Sequence, residues 1–265
     1  MNEKHKTLYI PLHGKAAVSK KGLILNDPAT EKISEQEQVQ GKPGSKLANY
    51  AMVMRARIFD EWTDRMLRAN PEAIVLHIGC GLDSRCLRIA MRCPLWIDAD
   101  LPDVIELRKK YYTENKNYKM LAFDAAKPGE LSGFPEAKCA IVVMEGLAMY
   151  LKNAEIKAFF KAVSTRYEHV RLLMDAYTVF GAGTSRLRKA IKATGVTKVH
   201  GFDSIDALVK KTGLKCTGEL SLTPRKLVGE LPGTDRALFK LLYTGALQRK
   251  RYKLYELEER QTSLL

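Results

Sequence analysis

Four places in this chain end an apolar run on residues suited to an amine- and hydroxyl-bearing ligand. Ala73-Ile74-Val75-Leu76-His77-Ile78 breaks at Gly79-Cys80-Gly81, and Pro94-Leu95-Trp96-Ile97 runs into Asp98-Ala99-Asp100. Tyr118 to Phe123 ends at Asp124, and Cys139 to Met144 ends at Glu145-Gly146. A glycine pair lets backbone amides come close to a ligand, although Gly-x-Gly alone serves equally well as a tight turn. Asp100 lies 21 residues after Gly79, where an acidic side chain can accept both hydroxyls of a ribose. Asp124 could accept from an exocyclic adenine amine. Glu145 could face a positive group or anchor the loop beside an acceptor. Singly, each carboxylate reads as a helix cap or a solvated turn; their recurrence at successive run ends argues for a site.

These ends share a rim only if the runs are strands of one sheet. The runs are short and rich in β-branched residues, and helical patterns follow them: Ser84 to Met91, Pro102 to about Glu114, and Ala154 to Glu168. Val170 to Asp175 reads as a fifth strand. Repeated βα units of this length predict a parallel sheet with helices on both faces, and ligands bind beyond the carboxyl ends of such strands. Upstream, Thr7 to Leu12 reads as a short extended piece, Asp27-Pro28 as a helix start, residues 34 to 46 as a mobile loop, and Leu47 to Ala69 as a long helix. Downstream, Ser185 to Thr194 reads as a basic amphipathic helix and Phe202 to Thr212 as another. Lys215 to Leu222 and Ala237 to Tyr243 read as a closing antiparallel hairpin, and Arg249 to Arg260 as a frayed helical tail. The expected organisation is a helical cap over residues 1–70 and a Rossmann-like domain over 71–265, with a substrate-side insertion around 176–203.

The chain has 265 residues, 46% of them hydrophobic, ample for one large core. No apolar run approaches the roughly 18 residues that span a bilayer, and the N-terminus leads into no secretory-type segment. The expectation is a cytoplasmic protein without a membrane partner. Five cysteines form no C-x-x-C pair and no cluster with histidine, so neither zinc nor another metal is expected. The net charge of +14 is concentrated late: Ala176 to Tyr255 holds 16 Lys/Arg against 5 Asp/Glu. That favours an anionic partner, an acidic small molecule before RNA or an acidic protein segment. A base-amine methylase would place an Asn/Asp-Pro-Pro-aromatic turn after the fourth strand. Met144-Glu145-Gly146-Leu147 offers nothing of the kind, which argues against a nucleic-acid substrate.

The rim also discriminates between cofactors. A nicotinamide dinucleotide prefers a third glycine where this chain has Ser84, flanked by Asp83 and Arg85, and its pyrophosphate would face Asp83, Asp100, Asp124 and Glu145. S-adenosylmethionine carries a sulfonium cation and no phosphate, so acidic strand ends suit it. No Ser/His/Asp or Cys/His arrangement suggests a catalytic residue. None is needed for in-line transfer to a carboxylate already ionised at neutral pH.

These residues resemble the leucine carboxyl methyltransferase family of class I S-adenosylmethionine-dependent methyltransferases, in particular its bacterial polyketide carboxyl O-methyltransferase branch. The resemblance rests on Leu8 to Ala16, Ile24 to Ala29, Arg55 to Asp60, Gly79 to Arg85, Asp98 to Pro102 and Glu145 to Leu151. It implies a seven-stranded, mostly parallel sheet with a closing antiparallel strand and an N-terminal cap. It also implies a cofactor site in which Lys15 and Arg55 hold the methionine carboxylate, while Gly79 and Gly81 allow close approach. Asp100 would take the ribose, Asp124 with Ala125 the adenine, and Glu145 the region near the methionine amine. Lys15 stands where the branch often has arginine, and His77 where asparagine is common; His77 is expected to be a hydrogen-bonded strand residue. The implied activity is O-methylation of a carboxylate or hydroxyl on a small acidic metabolite. A protein C-terminal carboxyl or RNA substrate, or cofactor binding without turnover, stand as alternatives.

Overall fold

Residues that alternate across a strand explain how this chain builds two different interiors on one sheet. The computed structural model describes residues 6–37, 44–185 and 199–260. Strands β1 (Ile74–Ile78), β2 (Trp96–Asp100), β3 (Tyr118–Ala122), β4 (Cys139–Met144) and β5 (His169–Tyr177) run parallel. β6 (Leu214–Leu220) and β7 (Tyr252–Glu259) complete a seven-stranded sheet in the order β3-β2-β1-β4-β5-β7-β6. β7 is antiparallel to both its neighbours. This is the class I methyltransferase topology, and the order reverses direction between β1 and β4, which opens a crevice at their carboxyl ends.

Across the four central strands, one face of the sheet is apolar. Ile97, Leu76, Val142 and Leu172 lie in register across four strands, and α6 (Asn153–Arg166) covers them with Phe159, Phe160 and Val163. The adjacent row on the opposite face reads Asp98, His77, Val143, Leu173, and it is here that buried polar groups enter. That face is covered by α1 (Lys6–Ser19), α2 (Pro28–Gln36) and α3 (Lys46–Ala69), which contribute Tyr9, Leu12, Ile33, Tyr50, Phe59 and Trp62 to the core. The N-terminal helices therefore close over the polar side of the sheet.

Several expectations need correction. Thr7 to Leu12 is helical within α1, Pro11 included, because Tyr9, Leu12, His13 and Ala16 recur at helical spacing and are all buried. The helix after the glycine turn, α4 (Arg85–Arg88), is a single turn. α5 (Pro102–Arg108) starts at its proline as expected and stops early, and the helix expected over Phe202 to Thr212 shortens to α8 (Ile205–Val209), after α7 (Val179–Ser185). Ala237 to Tyr243 is no strand but the end of a helix, α10 (Gly233–Tyr243), which follows α9 (Arg225–Gly229). Its Phe239 stacks on Tyr243 one turn later, at 5.1 Å between ring centroids. After α11 (Ala246–Arg249), the supposed tail is β7 itself. The loop expected over 34 to 46 is narrower, since Ser34 to Gln36 end α2 and Lys46 opens α3; its centre, 38–43, and nearly all of the basic helix at 185 to 194 lie outside the described residues. No helix among those described is long and apolar enough to cross a membrane.

Candidate active site

The turn after β1 is held from three sides. Gly79 and Gly81 have φ of 71° and 52°, the left-handed region that glycine enters without strain. A Cβ on Gly79 would also sit 3.0 Å from the Leu147 side chain. The Gly81 amide donates to Asp100 Oδ2 at 2.8 Å, and the Leu101 amide donates to Asp100 Oδ1 at 2.8 Å. The Gly81 carbonyl accepts from Arg108 at 2.9 Å. Arg108 is fully buried, paired with Asp98 and stacked 3.9 Å over the Tyr112 ring. Burial would raise the Asp98 carboxyl, but Arg108 and the hydrogen bond from His77 hold it far below the usual range. Desolvation conversely pushes His77 below the ordinary imidazole value, so it is neutral. His77 Nδ1 lies 3.0 Å from Asp98 and Nε2 lies 3.0 Å from Arg85. A neutral ring meets both partners by donating from Nδ1 and accepting at Nε2.

A second network ties the cap to the sheet. Arg85, fully buried, binds Asp60 of α3 at 2.7 Å and also pairs with Glu145 at the end of β4. Arg88 reaches Asp27 at 2.6 Å, Asp60 at 2.7 Å and Asp83 at 3.1 Å. Lys15 from α1 pairs with Asp83. Arg55, midway along α3, binds Glu145 at 2.9 Å, Asp175 at 2.9 Å and the Tyr252 hydroxyl at 2.8 Å. Asp175 in turn accepts from the Gly146 amide at 2.6 Å. Against its own desolvation, Glu145 is held down at about 2 by Arg55, Arg85 and Lys15. Asp83 is likewise held well below the carboxylate range, despite burial, by Arg88, Lys15 and Arg85. Four cations thus face Asp27, Asp60, Asp83, Glu145 and Asp175.

All eight expected residues line one cavity of about 1280 Å³. Lys15 and Arg55 reach it from the cap, Gly79 and Gly81 from the turn, and Asp100, Asp124, Ala125 and Glu145 from the strand ends. Asp124 accepts from the Ala126 amide at 3.0 Å, which shapes the turn after β3. The volume exceeds the roughly 300–1,000 Å³ of ordinary small-molecule sites, leaving room for two ligands. The same cavity is also lined by Met149, Tyr177, His200, Leu222, Tyr243 and Arg251. Among the described residues, no group of three or more His, Cys, Asp or Glu is placed to hold a metal ion.

Sequence reading did not anticipate Arg108, Arg88, Asp60, Asp175 or Tyr252 as parts of this site. Arg88, one turn beyond Arg85, carries a usable signal, since two arginines on a short helix after a glycine turn call for buried acids. Asp175, at the end of an apolar strand, was as visible as Glu145. Tyr252 had no such signal, because its strand was misread.

Comparison with known proteins bears on the same region. A family profile described as Leucine carboxyl methyltransferase matches residues 14–164. The tetracenomycin polyketide synthesis O-methyltransferase TcmP of Streptomyces glaucescens is 36% identical over 147 residues, covering 55% of this chain and 54% of that protein. The S-adenosyl-L-methionine-dependent methyltransferase dpfgK of Gibberella zeae is 28% identical over 181 residues, 61% of each chain. The matched part of this chain thus spans between half and two thirds of these relatives. A crystal structure of a candidate methyltransferase from Thermobifida fusca superposes with a TM-score of 0.62 at 11% identity, covering 97% of this chain and 94% of that one. At that identity it bears on the fold alone.

Proposed function

This chain belongs to the leucine carboxyl methyltransferase family, and from that premise we propose that it is an S-adenosylmethionine-dependent O-methyltransferase acting on a small anionic metabolite. The observation that carries the reading is the charge of the cavity floor. On the cofactor side of the cavity Asp83, Asp100, Asp124 and Glu145 outnumber Lys15 and Arg55, and behind that lining Arg85 and Arg88 are held by Asp27, Asp60, Asp83 and Glu145. Such a floor accepts a cation and repels a pyrophosphate. When bound, S-adenosylmethionine supplies an electrophilic methyl group on a positively charged sulfur.

The chain's own residues divide the remaining work. Asp100, fixed by two backbone amides, presents its remaining lone pairs to ribose hydroxyls. Asp124 and Ala125 form the adenine end, and Glu145, ionised throughout the physiological range, faces the amine. Lys15 and Arg55 supply cations for the methionine carboxylate. Arg55 directs Nε and one terminal nitrogen to Glu145, Asp175 and Tyr252; its other terminal nitrogen lies against Gly146. Their prior pairing with acids keeps both cations in place and lowers the reorganisation needed on binding.

An acceptor carboxylate is deprotonated at neutral pH, so positioning and exclusion of water are what the site must provide. A hydroxyl acceptor would instead need a base. A rate independent of pH between roughly 6 and 9 therefore marks carboxyl transfer, and a rate rising with pH marks hydroxyl transfer. The test is incubation with methyl-labelled cofactor and a panel of aromatic and aliphatic acids, read by mass spectrometry. An ester product supports the reading. Label appearing only on amines or on RNA overturns it.

A further inference from the structure

Among the described residues, four lysine and arginine side chains line the cavity, and three have a carboxylate at hand. Lys15 pairs with Asp83, Arg55 with Glu145 and Asp175, and Lys152 lies 3.5 Å from Glu155. Arg251 differs. Among the described residues it has no acidic partner, and its Nε is buried without any hydrogen bond. A buried guanidinium nitrogen left without an acceptor is costly, and native structures rarely keep one without a use.

Its position is built rather than incidental. The Arg251 carbonyl accepts from the Thr178 amide at 3.1 Å, and the Thr178 hydroxyl donates to the Lys250 carbonyl at 2.6 Å. Gly181 packs so closely on the Arg251 carbonyl that no Cβ would fit there. The next residue, Tyr252, bonds both Arg55 and Asp175. Arg251 is thereby fixed at the start of β7, beside the cofactor-side network yet outside it. The same cavity is lined by Tyr177, Leu222 and Tyr243, apolar and aromatic side chains that share it with this cation.

We infer that Arg251 is the specificity-determining residue that pairs with the carboxylate of the acceptor, and that the acceptor is an aromatic or apolar acid. This rests on the methyltransferase reading and adds to it the residue that selects the substrate. A planar guanidinium offers two parallel donors to a carboxylate, an arrangement an amide or ester cannot use. In the transfer, a lone pair of the acceptor oxygen forms the C–O bond as the C–S bond breaks. The electron pair of that bond stays on sulfur, and no proton moves. The carboxylate becomes a neutral ester, so the pairing that admits the acid does not retain the product.

The test uses the intact chain saturated with S-adenosylhomocysteine and titrated with naphthoate, naphthamide and methyl naphthoate. Naphthoate is expected to bind about tenfold or more tightly than either neutral analogue. Arg251→Gln should bring all three to within about twofold, leave S-adenosylhomocysteine affinity unchanged and keep the unfolding midpoint within a few degrees. Arg251→Lys should restore part of the preference. A preference that survives Arg251→Gln, a wild-type protein with no preference, or a loss of S-adenosylhomocysteine binding in the variant would each overturn the assignment. Failure of the wild type to bind S-adenosylhomocysteine would instead bring down the methyltransferase reading itself.

Discussion

Asp100 was legible from its distance to Gly79 alone, and it lines the cavity with both oxygens already accepting backbone amides. Asp100→Asn is close in shape, but its amide nitrogen cannot accept from the Gly81 or Leu101 N–H. The expected result is a loss of about 2–3 kcal/mol in S-adenosylmethionine affinity, measured by calorimetry. His77 is a different case: its strand position was read correctly, but its two charged partners were not foreseeable, since they depend on register and on α4. Because its folded value is depressed, the unfolded chain binds the extra proton first as pH falls below about 6.5, and stability declines from there. Glu145, Asp83 and Asp98 are depressed too, so their contribution is present above the unfolded carboxylate range and is lost as pH drops below it towards their own lower values. Unfolding midpoints are therefore expected to fall in two stages on acidification. His77→Asn should reduce the first stage, below about pH 6.5, more than the second, which Arg88, Arg85, Lys15, Arg55 and Arg108 still set.

At the level of elements, the parallel strands were readable because each is a mostly apolar run ended by glycine or a carboxylate. β7 was not. It carries Lys253, Glu256, Glu258 and Glu259, and these charges resemble an exposed tail. In the structure they pair outward with Glu219, Arg65, Lys215 and Arg171, while Tyr252, Leu254, Tyr255 and Leu257 are buried, two on each face of the sheet. An inner strand that must serve both faces has no simple alternation to read. Ala237 to Tyr243 erred in the opposite direction, a short apolar stretch whose period does not distinguish strand from helix. The junction of β5 with β7 yields a prediction of its own. Gly181→Ala would press a methyl group into the Arg251 carbonyl, and a destabilisation of about 1–3 kcal/mol is expected from denaturant unfolding, with weaker acceptor binding as its consequence. Gly79→Ala meets both a left-handed backbone and Leu147. It should abolish cofactor binding before it abolishes folding, as compared by titration and circular dichroism.

Across the whole molecule, charge is segregated. The chain is +14 overall, yet on the floor of the cavity, its cofactor side, Asp83, Asp100, Asp124 and Glu145 outnumber Lys15 and Arg55. Composition revealed the first fact; the second required knowing that α1, α2 and α3 fold over the polar face of the sheet. The opposed fields suggest opposed salt responses. For an anionic acceptor, kcat/KM should fall as ionic strength rises, because the basic exterior no longer attracts it. Affinity for the cofactor, set by groups that are screened little, should change far less. The central claim is that the acidic floor selects a phosphate-free cationic cofactor. Calorimetric titration of the intact chain with S-adenosylmethionine and, separately, with a nicotinamide dinucleotide tests it most directly. The account requires saturable binding of S-adenosylmethionine, weakened in Asp100→Asn, and no binding of the dinucleotide; tight dinucleotide binding with no heat from S-adenosylmethionine would contradict it.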